Sequence, residues 1–591
     1  MNRILIFLFL TGLCQNIHAQ NLPPVFGDEY SGKTFKDSRT RAYLAPQRIV
    51  WQNDGNGQLI KNSELLLAAG ADGQSELSGR PTCIMRSSEN EYPSLLLDFG
   101  REIHGGLQIV TGSATGKGVK IRVRFGESVS EAMSTAGTQG ATNDHAMRDF
   151  TMQVPWLGVA EAGNSGFRFV RIDLLDPNTT LSIKEINAIF IYRDIPYLGS
   201  FRCNNERLNR IWITGAYTVH LNMQEYIWDG IKRDRLVWLG DMHPEVMTVN
   251  TVFGYNEVIP RSLDFARDIT PLPNWMNGMC SYSLWWIIIQ RDWYLYQGNL
   301  AYLKEQQHYL TELLQLLFTK VDASGREKLD GGGRFLDWPS SPNQEGVSAG
   351  LQALTVLAFQ AGGELCTALG DNALAKKCAA TVELMKTQIP PHNQLKQAAA
   401  LLALANMMSA KQADDEVISV GGARNFSTFY GYYMLQAQAK AGNYQAAIDN
   451  IGNFWGGMLD MGATTFWEDF NLDWLDNAAG IDELVPEGKK DIHADFGDYC
   501  YKNLRHSLCH GWASGPTAWL TEHVLGVQVV APGCKTLKIE PHLGNLEWVE
   551  GTFPTPHGIV SISHRKGADG KIKTDVKAPK GVSVKLKKIT D

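Results

Sequence analysis

Residues 303–317, Leu-Lys-Glu-Gln-Gln-His-Tyr-Leu-Thr-Glu-Leu-Leu-Gln-Leu-Leu, carry leucine at helical spacing. Such spacing places the apolar side chains on one face of an amphipathic helix. The same texture runs from residue 204 to about residue 525, most clearly in 351–358, 394–408, 429–441 and 515–525. About 320 residues of helices must bury their apolar faces on one another, as a solenoid, a bundle or a closed double ring. Because no fixed repeat period is evident, a solenoid is the least favoured of the three.

Strand periodicity dominates on both sides of the helical region. Alternation is clear in 119–125 and 167–172, and it recurs often enough between about residues 40 and 200 to predict a β-sandwich. It returns after residue 527, in 536–540 and 558–563. The chain is therefore predicted to be multidomain α+β, in the order β, α, β.

Composition narrows the classes of partner. The formal net charge is −7 over 591 residues, so no basic surface dominates that would hold a nucleic-acid backbone. The 16 Trp and 19 Tyr supply amphipathic rings that suit sugars as well as protein cores. No cysteine and histidine cluster has zinc-ligand spacing, and we predict no metal and no cofactor. The sequence does not determine the oligomeric state.

The N-terminus has the pattern of a secretory leader. Arg3 precedes an apolar run at residues 4–13, and a short polar segment follows up to Ala19. This pattern predicts a signal peptide over residues 1–19 and export to the periplasm or beyond the cell. A lipoprotein signal ending at Cys14 is the alternative. The run is too short to cross a bilayer, and no later stretch reaches the ~20 apolar residues of an integral membrane helix.

One segment is the richest in chemically active side chains. Residues 229–241 read Asp-Gly-Ile-Lys-Arg-Asp-Arg-Leu-Val-Trp-Leu-Gly-Asp, with three carboxylates and three cations. On a regular helix Asp234 and Asp241 would share a face, but Gly240 also allows a loop. The alternative to a functional site is a solvated run of mutually paired charges.

Two further segments hold candidate acid, base or hydroxyl-binding groups. In residues 462–470, Glu468 follows Trp467, and desolvation beside an indole ring can tune the proton affinity of a carboxylate. A helix cap with a buried tryptophan is the structural alternative. In residues 507–515, His510 lies among small and aromatic residues, where it can bind a hydroxyl or serve as a hydrogen-bonded structural histidine.

Together these segments resemble the α-L-rhamnosidases of glycoside hydrolase family 78. In that family Asp-x-x-x-Arg-Glu-x-Leu-Gly-Trp-x-Gly-Asp stands at the start of a six-hairpin (α/α)6 barrel, and residues 229–241 keep its spacing in full. Further matches lie at 97–102, 125–127, 282–286, 336–338, 463–468, His510 and 524–542. The resemblance implies a central (α/α)6 barrel at 201–525, an N-terminal β-sandwich domain at 20–200 and a small C-terminal β-sandwich domain at 526–591.

The resemblance also implies a chemistry and a set of site residues. The expected reaction is an inverting, exo-acting hydrolysis that releases terminal α-L-rhamnose from plant or other complex glycans. Glu468 matches the general base, and Asp234 stands at the position of the general acid. The residues that match sugar-binding positions are Asp229, Arg233, Trp238, Asp241, Trp285, Asp337, Trp338, Trp467 and His510.

The sequence departs from the family pattern at the position of the general acid. The family has Glu where this chain has Asp234, and Gly where it has Val237. Asp is one methylene shorter, so its carboxyl would sit about 1.5 Å further back on an unchanged backbone. A misplacement of ~1 Å can cost about a hundredfold in rate. A working acid at Asp234, a different acid and a loss of catalysis all stay open.

Because the identity of the acid stays open, three competing functions follow. The first keeps the fold and the inverting chemistry but changes the terminal sugar. The second is a non-catalytic carbohydrate-binding protein that kept the pocket and lost the acid. A polysaccharide lyase, with Tyr282 or His510 as the base and Arg233 binding a uronate, is a third.

Overall fold

The computed structural model describes residues 37–68 and 72–587, and all helices and strands below belong to this part of the chain. The predicted signal peptide at residues 1–19 lies outside the described residues. Among the described residues, no helix is both long enough and apolar enough to cross a membrane.

The first part of the described chain is a β domain. Its elements are β1 Thr40–Leu44, β2 Arg48–Asn53, β3 Ile60–Lys61, β4 Cys83–Arg86, β5 Ser94–Thr111, β6 Val119–Gly126, the short helix α1 Val129–Met133, β7 Asp149–Val154, β8 Val159–Leu174 and β9 Thr180–Tyr192. The described strands pair in the order β3-β4-β9-β5-β8-β6-β7, with β1 on β9 and β2 on β5.

The long strand β5 joins the two halves of this sheet. Its first part pairs with β2 and its last part with β9, while β8 follows it along both parts. The register shifts beside Gly105, where a Cβ atom would lie 1.9 Å from the carbonyl oxygen of Ile189, so only glycine allows this close approach. The strands of the predicted β-sandwich are thus linked by hydrogen bonds through β5 and β8, and they share an apolar core.

The helical region follows the β domain. Its helices are α2 Glu206–Asn222, α3 Met242–Val252, α4 Val258–Asp268, α5 Cys280–Gln297, α6 Leu300–Thr319, α7 Gln344–Leu369, α8 Asn372–Lys386, α9 Lys396–Leu404, α10 Ala410–Ala413, α11 Gly431–Lys440, α12 Tyr444–Asp460 and α13 Gly515–Trp519. The leucines of 303–317 lie in α6, where Leu303, Leu310 and Leu314 are buried, as their spacing predicts.

Alternate helices of this region form a closed series of contacts. Helix α3 packs on α5, α5 on α7, α7 on α9, α9 on α11, α11 on α13, and α13 returns to α3. Helices α6 and α8 lie against α7, while α2 and α12 pack on each other. This closed series of contacts differs from a solenoid, in which each repeat contacts only its neighbours along an open stack.

The strands outside the β domain form small sheets. The remaining strands are β10 Ser200–Cys203, β11 Ala478–Ala479, β12 Lys490–Asp491, β13 Val527–Ala531, β14 Thr536–Ile539, β15 Trp548–Thr555, β16 Gly558–Lys566, β17 Ile572–Lys577 and β18 Ser583–Leu586. Strand β10 precedes the helical region but pairs with β15, in the order β10-β15-β16-β17. The predicted boundary after residue 200 therefore falls inside β10. The local sequence does not reveal this strand, because its hydrogen-bonding partner β15 lies about 350 residues further along the chain.

Candidate active site

Residues 229–241 form a loop between α2 and α3. Asp229 shapes this loop: its Oδ1 accepts a hydrogen bond from the backbone N–H of Leu236 at 2.9 Å, and its Oδ2 accepts one from the N–H of Asp234 at 3.2 Å. Most of the charged side chains are buried, namely Asp229, Lys232, Arg233 and Asp241. The segment is therefore not the solvated run of charges that its composition allowed.

The Asp229 carboxyl is positioned to bind a ligand as well as to hold the loop. Burial raises the pKa of Asp229 to about 8, while His510 opposes the shift and the neighbouring carboxylates reinforce it. The upward shift favours the protonated carboxyl, which can donate a hydrogen bond as well as accept one.

Arg233 brings the two predicted catalytic carboxyls together. Its Nη2 donates to Oε1 of Glu468 at 2.6 Å, and its Nη1 lies 3.2 Å from Oδ1 of Asp234. Burial lowers the pKa of Arg233, but the Glu468 and Asp234 carboxylates outweigh burial and raise it above its usual value. Two carboxyls that are 234 positions apart in sequence thus flank a single guanidinium group.

The backbone around Glu468 is held from three sides. Its carbonyl oxygen accepts hydrogen bonds from the indole N–H of Trp512 at 2.9 Å and from the hydroxyl of Thr428 at 2.6 Å. The backbone N–H of Ser507 donates to Oε2 at 3.2 Å, and the N–H of Glu468 donates back to the Ser507 carbonyl at 3.0 Å. Glu468 is only 5% exposed, so its carboxylate is fixed in place before any ligand arrives.

Asp241 and His510 form a second polar group of the site. Asp241 accepts a hydrogen bond from the hydroxyl of Tyr282 at 2.9 Å, and its Oδ2 lies 3.0 Å from Nε2 of His510. Burial raises the pKa of Asp241, although both hydrogen bonds limit the rise. Burial lowers the pKa of His510, but Glu468 and Asp241 outweigh it, so the net shift is upward. Nδ1 of His510 is buried with no hydrogen-bond partner in the described part of the chain.

A series of aromatic contacts connects two predicted tryptophans to this charged group. Trp238 meets Tyr282 edge to face at 6.0 Å, and Phe335 meets Trp338 at 5.0 Å. Trp338 in turn meets Tyr501 at 6.3 Å, and the guanidinium of Arg233 lies over the Tyr501 ring at 5.7 Å. Trp238 and Trp338 are both partly exposed, so their rings can contact a ligand.

Three other predicted site residues are almost fully buried. Asp337 is 1% exposed, and its carboxylate accepts hydrogen bonds from Ser427 at 2.7 Å and Gln397 at 3.0 Å. Trp285 stacks on His243 at 4.9 Å and lines a cavity of about 430 Å³ inside the ring of helices. Trp467 is 1% exposed, and its indole N–H has no hydrogen-bond partner among the described residues. These contacts place Asp337 and Trp285 in the packing behind the site, so their predicted role in binding sugar stays untested.

A polar cavity is lined by Asp469, the residue after Glu468, but not by Glu468 itself. It measures about 560 Å³, and Asp469, Trp474, Asp498 and Tyr499 contribute to its wall. Burial raises the pKa of Asp469 to about 7. Another cavity, of about 890 Å³, lies between α2 and the β15–β17 sheet, and none of the predicted site residues lines it.

Lys232 ties the β domain to the site. Its ammonium lies 2.9 Å from the Glu127 carboxylate and 3.3 Å from Glu131, and it donates to the carbonyl oxygen of His506 at 2.6 Å. Glu127 also accepts the N–H of Leu508 at 2.7 Å. Glu127 and Glu131, with His493, bring ligand atoms within 4.8 Å of one another, as a metal ion would require. In this structure the Lys232 ammonium already supplies the positive charge between the two carboxylates.

Comparison with known proteins identifies the family that this geometry resembles. Residues 196–362 match the bacterial α-L-rhamnosidase six-hairpin glycosidase domain, and residues 526–588 match the bacterial α-L-rhamnosidase C-terminal domain. Two segments of the chain are thus similar to domains of bacterial α-L-rhamnosidases. The resemblance inferred from the sequence is thereby confirmed. No curated protein matches the chain significantly.

Solved structures show the same fold for this rhamnosidase-like protein. A family 78 rhamnosidase of Bacillus sp. GL1 has 21% identity and a TM-score of 0.71, covering 86% of this chain and 55% of that one. An α-L-rhamnosidase from Dictyoglumus thermophilum has 18% identity and a TM-score of 0.67, covering 83% and 56%. A Klebsiella oxytoca rhamnosidase with rhamnose bound has 20% identity and a TM-score of 0.63, covering 82% and 96%. The chain spans about half the length of the first two.

The structure also brings residues to this candidate site that the sequence alone did not indicate. His145 of the β domain contacts Asp234, and the backbone N–H of Ser507 contacts Glu468. His145 stands in no motif, and Ser507 begins the segment 507–515 but acts through its backbone N–H, which has no side-chain signature. Glu127 stood in a matched segment, but only the fold shows that it reaches the 504–508 segment.

Proposed function

We propose that the protein is an inverting, exo-acting glycoside hydrolase that releases terminal α-L-rhamnose from plant or other complex glycans. The observation that carries the proposal is the Arg233 guanidinium with Asp234 on one nitrogen and Glu468 on another. Inverting hydrolysis needs one carboxyl to give a proton to the leaving oxygen and a second carboxyl to take one from water.

The two carboxyls differ in the way this division of labour requires. Glu468 is buried and held by Arg233 and the Ser507 N–H, so its carboxylate is positioned to accept a proton from an attacking water molecule. The side chain of Asp234 is 22% exposed, so an entering glycosidic oxygen can reach it. Asp229, Asp241 and His510 offer hydrogen bonds to sugar hydroxyls, and Trp238 and Trp338 offer apolar ring faces.

In the same proposal, the closed series of helices is the (α/α)6 barrel and the N-terminal sheet is the β-sandwich that braces it. The site is approached where residues of the β domain meet residues 229–241 and 468. The ligand is an oligosaccharide or glycoside, and binding needs no added cofactor.

The test is a time course on an aryl α-L-rhamnoside and on rhamnose-containing plant oligosaccharides, with NMR of the first-formed anomer. We expect β-L-rhamnose as the first product, because the single displacement inverts the α linkage. α-L-Rhamnose as the first product would contradict the inverting mechanism. Release of another sugar from a glycoside panel, with rhamnosides untouched, would contradict the substrate and keep the chemistry.

We further propose that the protein is exported, on the basis of the leader pattern at residues 1–19. N-terminal sequencing of the protein from a periplasmic fraction should give Gln20 as the first residue. A mature protein that begins at Cys14 and carries lipid would establish the lipoprotein alternative instead.

A further inference from the structure

A histidine of the β domain reaches the proposed acid. Nε2 of His145 lies 3.2 Å from Oδ1 of Asp234, and the side chains are 29% and 22% exposed. His145 stands in the connection between α1 and β7, whereas Asp234 belongs to the loop before α3. No sequence motif links them, since 89 positions separate the two residues.

The connection that carries His145 is anchored within the β domain. Arg148 is buried, and it donates hydrogen bonds to the carbonyl oxygens of Phe125 at 3.0 Å and Glu131 at 2.6 Å. Asn143 accepts the N–H of Arg148 at 3.1 Å. These bonds fix the backbone on one side of His145.

The same connection is anchored on the helical domain. Gln139 accepts the backbone N–H of Leu504 at 3.0 Å, and Asp144 pairs with Arg505. Ala141 packs with Ala494 and Leu504 in a small apolar cluster. His145 is therefore held between two anchored segments rather than carried by a free loop.

The contact distinguishes the two oxygens of Asp234. Oδ1 faces Nη1 of Arg233 at 3.2 Å as well as Nε2 of His145. Because arginine only donates, Oδ1 is an acceptor, and it is this oxygen that pairs with Nε2 of His145, which also lies 3.6 Å from Oδ2 of Asp144. Oδ2 has no hydrogen-bond partner among the described residues, so it is the oxygen that can carry a proton toward a ligand.

We propose that His145 is a positioning residue that orients the Asp234 carboxyl for proton donation; the inference rests on the acid role proposed for Asp234. The proton on Oδ2 passes to the glycosidic oxygen as the anomeric C–O bond breaks and its electron pair stays on that oxygen. Water adds to the anomeric carbon and gives its proton to Glu468. The Asp234 carboxylate that remains keeps its hydrogen bond from Arg233 and its ion pair with His145. Because the aspartate side chain is short, an error of about 1 Å in the position of its carboxyl lowers the rate strongly.

The experiment compares His145→Leu and His145→Gln on two substrates. Methyl α-L-rhamnoside has a poor leaving group that needs the acid, whereas dinitrophenyl α-L-rhamnoside has a good one that does not. We expect His145→Leu to lower kcat on the methyl glycoside about 10- to 100-fold and on the dinitrophenyl glycoside less than about threefold. His145→Gln should recover most of the lost rate, because its amide keeps an N–H donor at similar reach. The matched control is His557→Leu at an exposed histidine of the C-terminal sheet.

Two results would overturn the inference. One is an unchanged rate of His145→Leu on the methyl glycoside. The other is an equal loss on both substrates that Gln does not recover, which is the behaviour of general loosening. If the wild-type protein hydrolyses neither substrate, the proposed function fails by itself. A crystal structure of His145→Leu then still decides the positioning role, since an unmoved Asp234 carboxyl would refute it.

Discussion

Arg233 is the residue at which the two catalytic candidates meet. A planar guanidinium can hold two carboxyls on separate nitrogens, whereas a lysine ammonium is a single point charge. Arg233→Lys should therefore lower kcat/KM on an aryl α-L-rhamnoside at least about tenfold. Arg235→Lys is the control, because Arg235 hydrogen-bonds Asn164 instead of a carboxylate. Steady-state kinetics decide the question, and equal activity of both variants would remove Arg233 from the positioning of the carboxyls.

Glu468 is the residue that the proposed mechanism cannot lose. Glu468→Gln keeps the shape and the hydrogen bond from Arg233 but cannot take a proton from water. Turnover should fall about 10²- to 10⁴-fold, while the affinity for rhamnose, measured by calorimetry, stays within a few-fold. The exposed Glu487→Gln serves as the matched control. Retained turnover in Glu468→Gln would exclude Glu468 as the base.

At the scale of elements, Lys232 joins α1 to the segment that supports Glu468. Lys232→Met leaves Glu127 buried without its cation and Glu131 with Arg148 alone, a loss of about 3–5 kcal/mol in the free energy of unfolding. The midpoint of thermal unfolding at pH 7 should fall by several degrees, whereas Lys489→Met at an exposed position should leave it in place.

A double variant shows whether the lost partner is the cause. Adding Glu131→Gln to Lys232→Met removes one of the two stranded carboxylates, so part of the lost stability should return. If the double variant is less stable than Lys232→Met by the full cost of Glu131→Gln alone, the two residues do not interact.

At the scale of the whole molecule, buried carboxyls make stability depend on pH. Burial raises the pKa of Asp229 to about 8 and the pKa of Glu127, Asp469 and Glu522 to about 7. In the unfolded chain carboxyls ionise near pH 4, so between about pH 4 and 8 the folded protein binds more protons. The stability from these groups is complete below about pH 4 and is lost as the pH rises through 7 and 8.

The urea midpoint should therefore fall between about pH 6.5 and pH 8, since below that range the buried histidines, whose pKa burial lowers, act in the opposite direction. Asp469→Asn removes one contributing group, which accounts for at most about 1.4 kcal/mol per pH unit, so the fall should be shallower in this variant. Asp473→Asn, at an exposed position nearby, should keep the wild-type slope. Identical slopes for Asp469→Asn and the wild type would show that Asp469 does not hold a proton in the folded state.

Much of the architecture could be predicted because it depends on local periodicity. The leucines of 303–317 predict α6 directly, since the burial of one helical face is written in a repeat of three to four residues. The spacing within 229–241 and the position of Glu468 also indicated the site before any geometry was known. Residues 229–241 form a loop and not the regular helix that their spacing allowed. Asp229 accepts hydrogen bonds from backbone N–H groups that a helix would use internally.

The sequence by itself determined the order β, α, β, the faces that its helices bury and the candidate carboxyls. Tertiary structure alone decided which of these residues meet: Glu468 on Arg233, His145 on Asp234, and Lys232 between Glu127 and Glu131. The physical reason is that a buried charge needs a partner of opposite charge in space, and nothing in its local sequence says where along the chain that partner lies. Strand β10 follows the same rule for backbone hydrogen bonds, because nothing in its own four residues indicates that β15 is its partner.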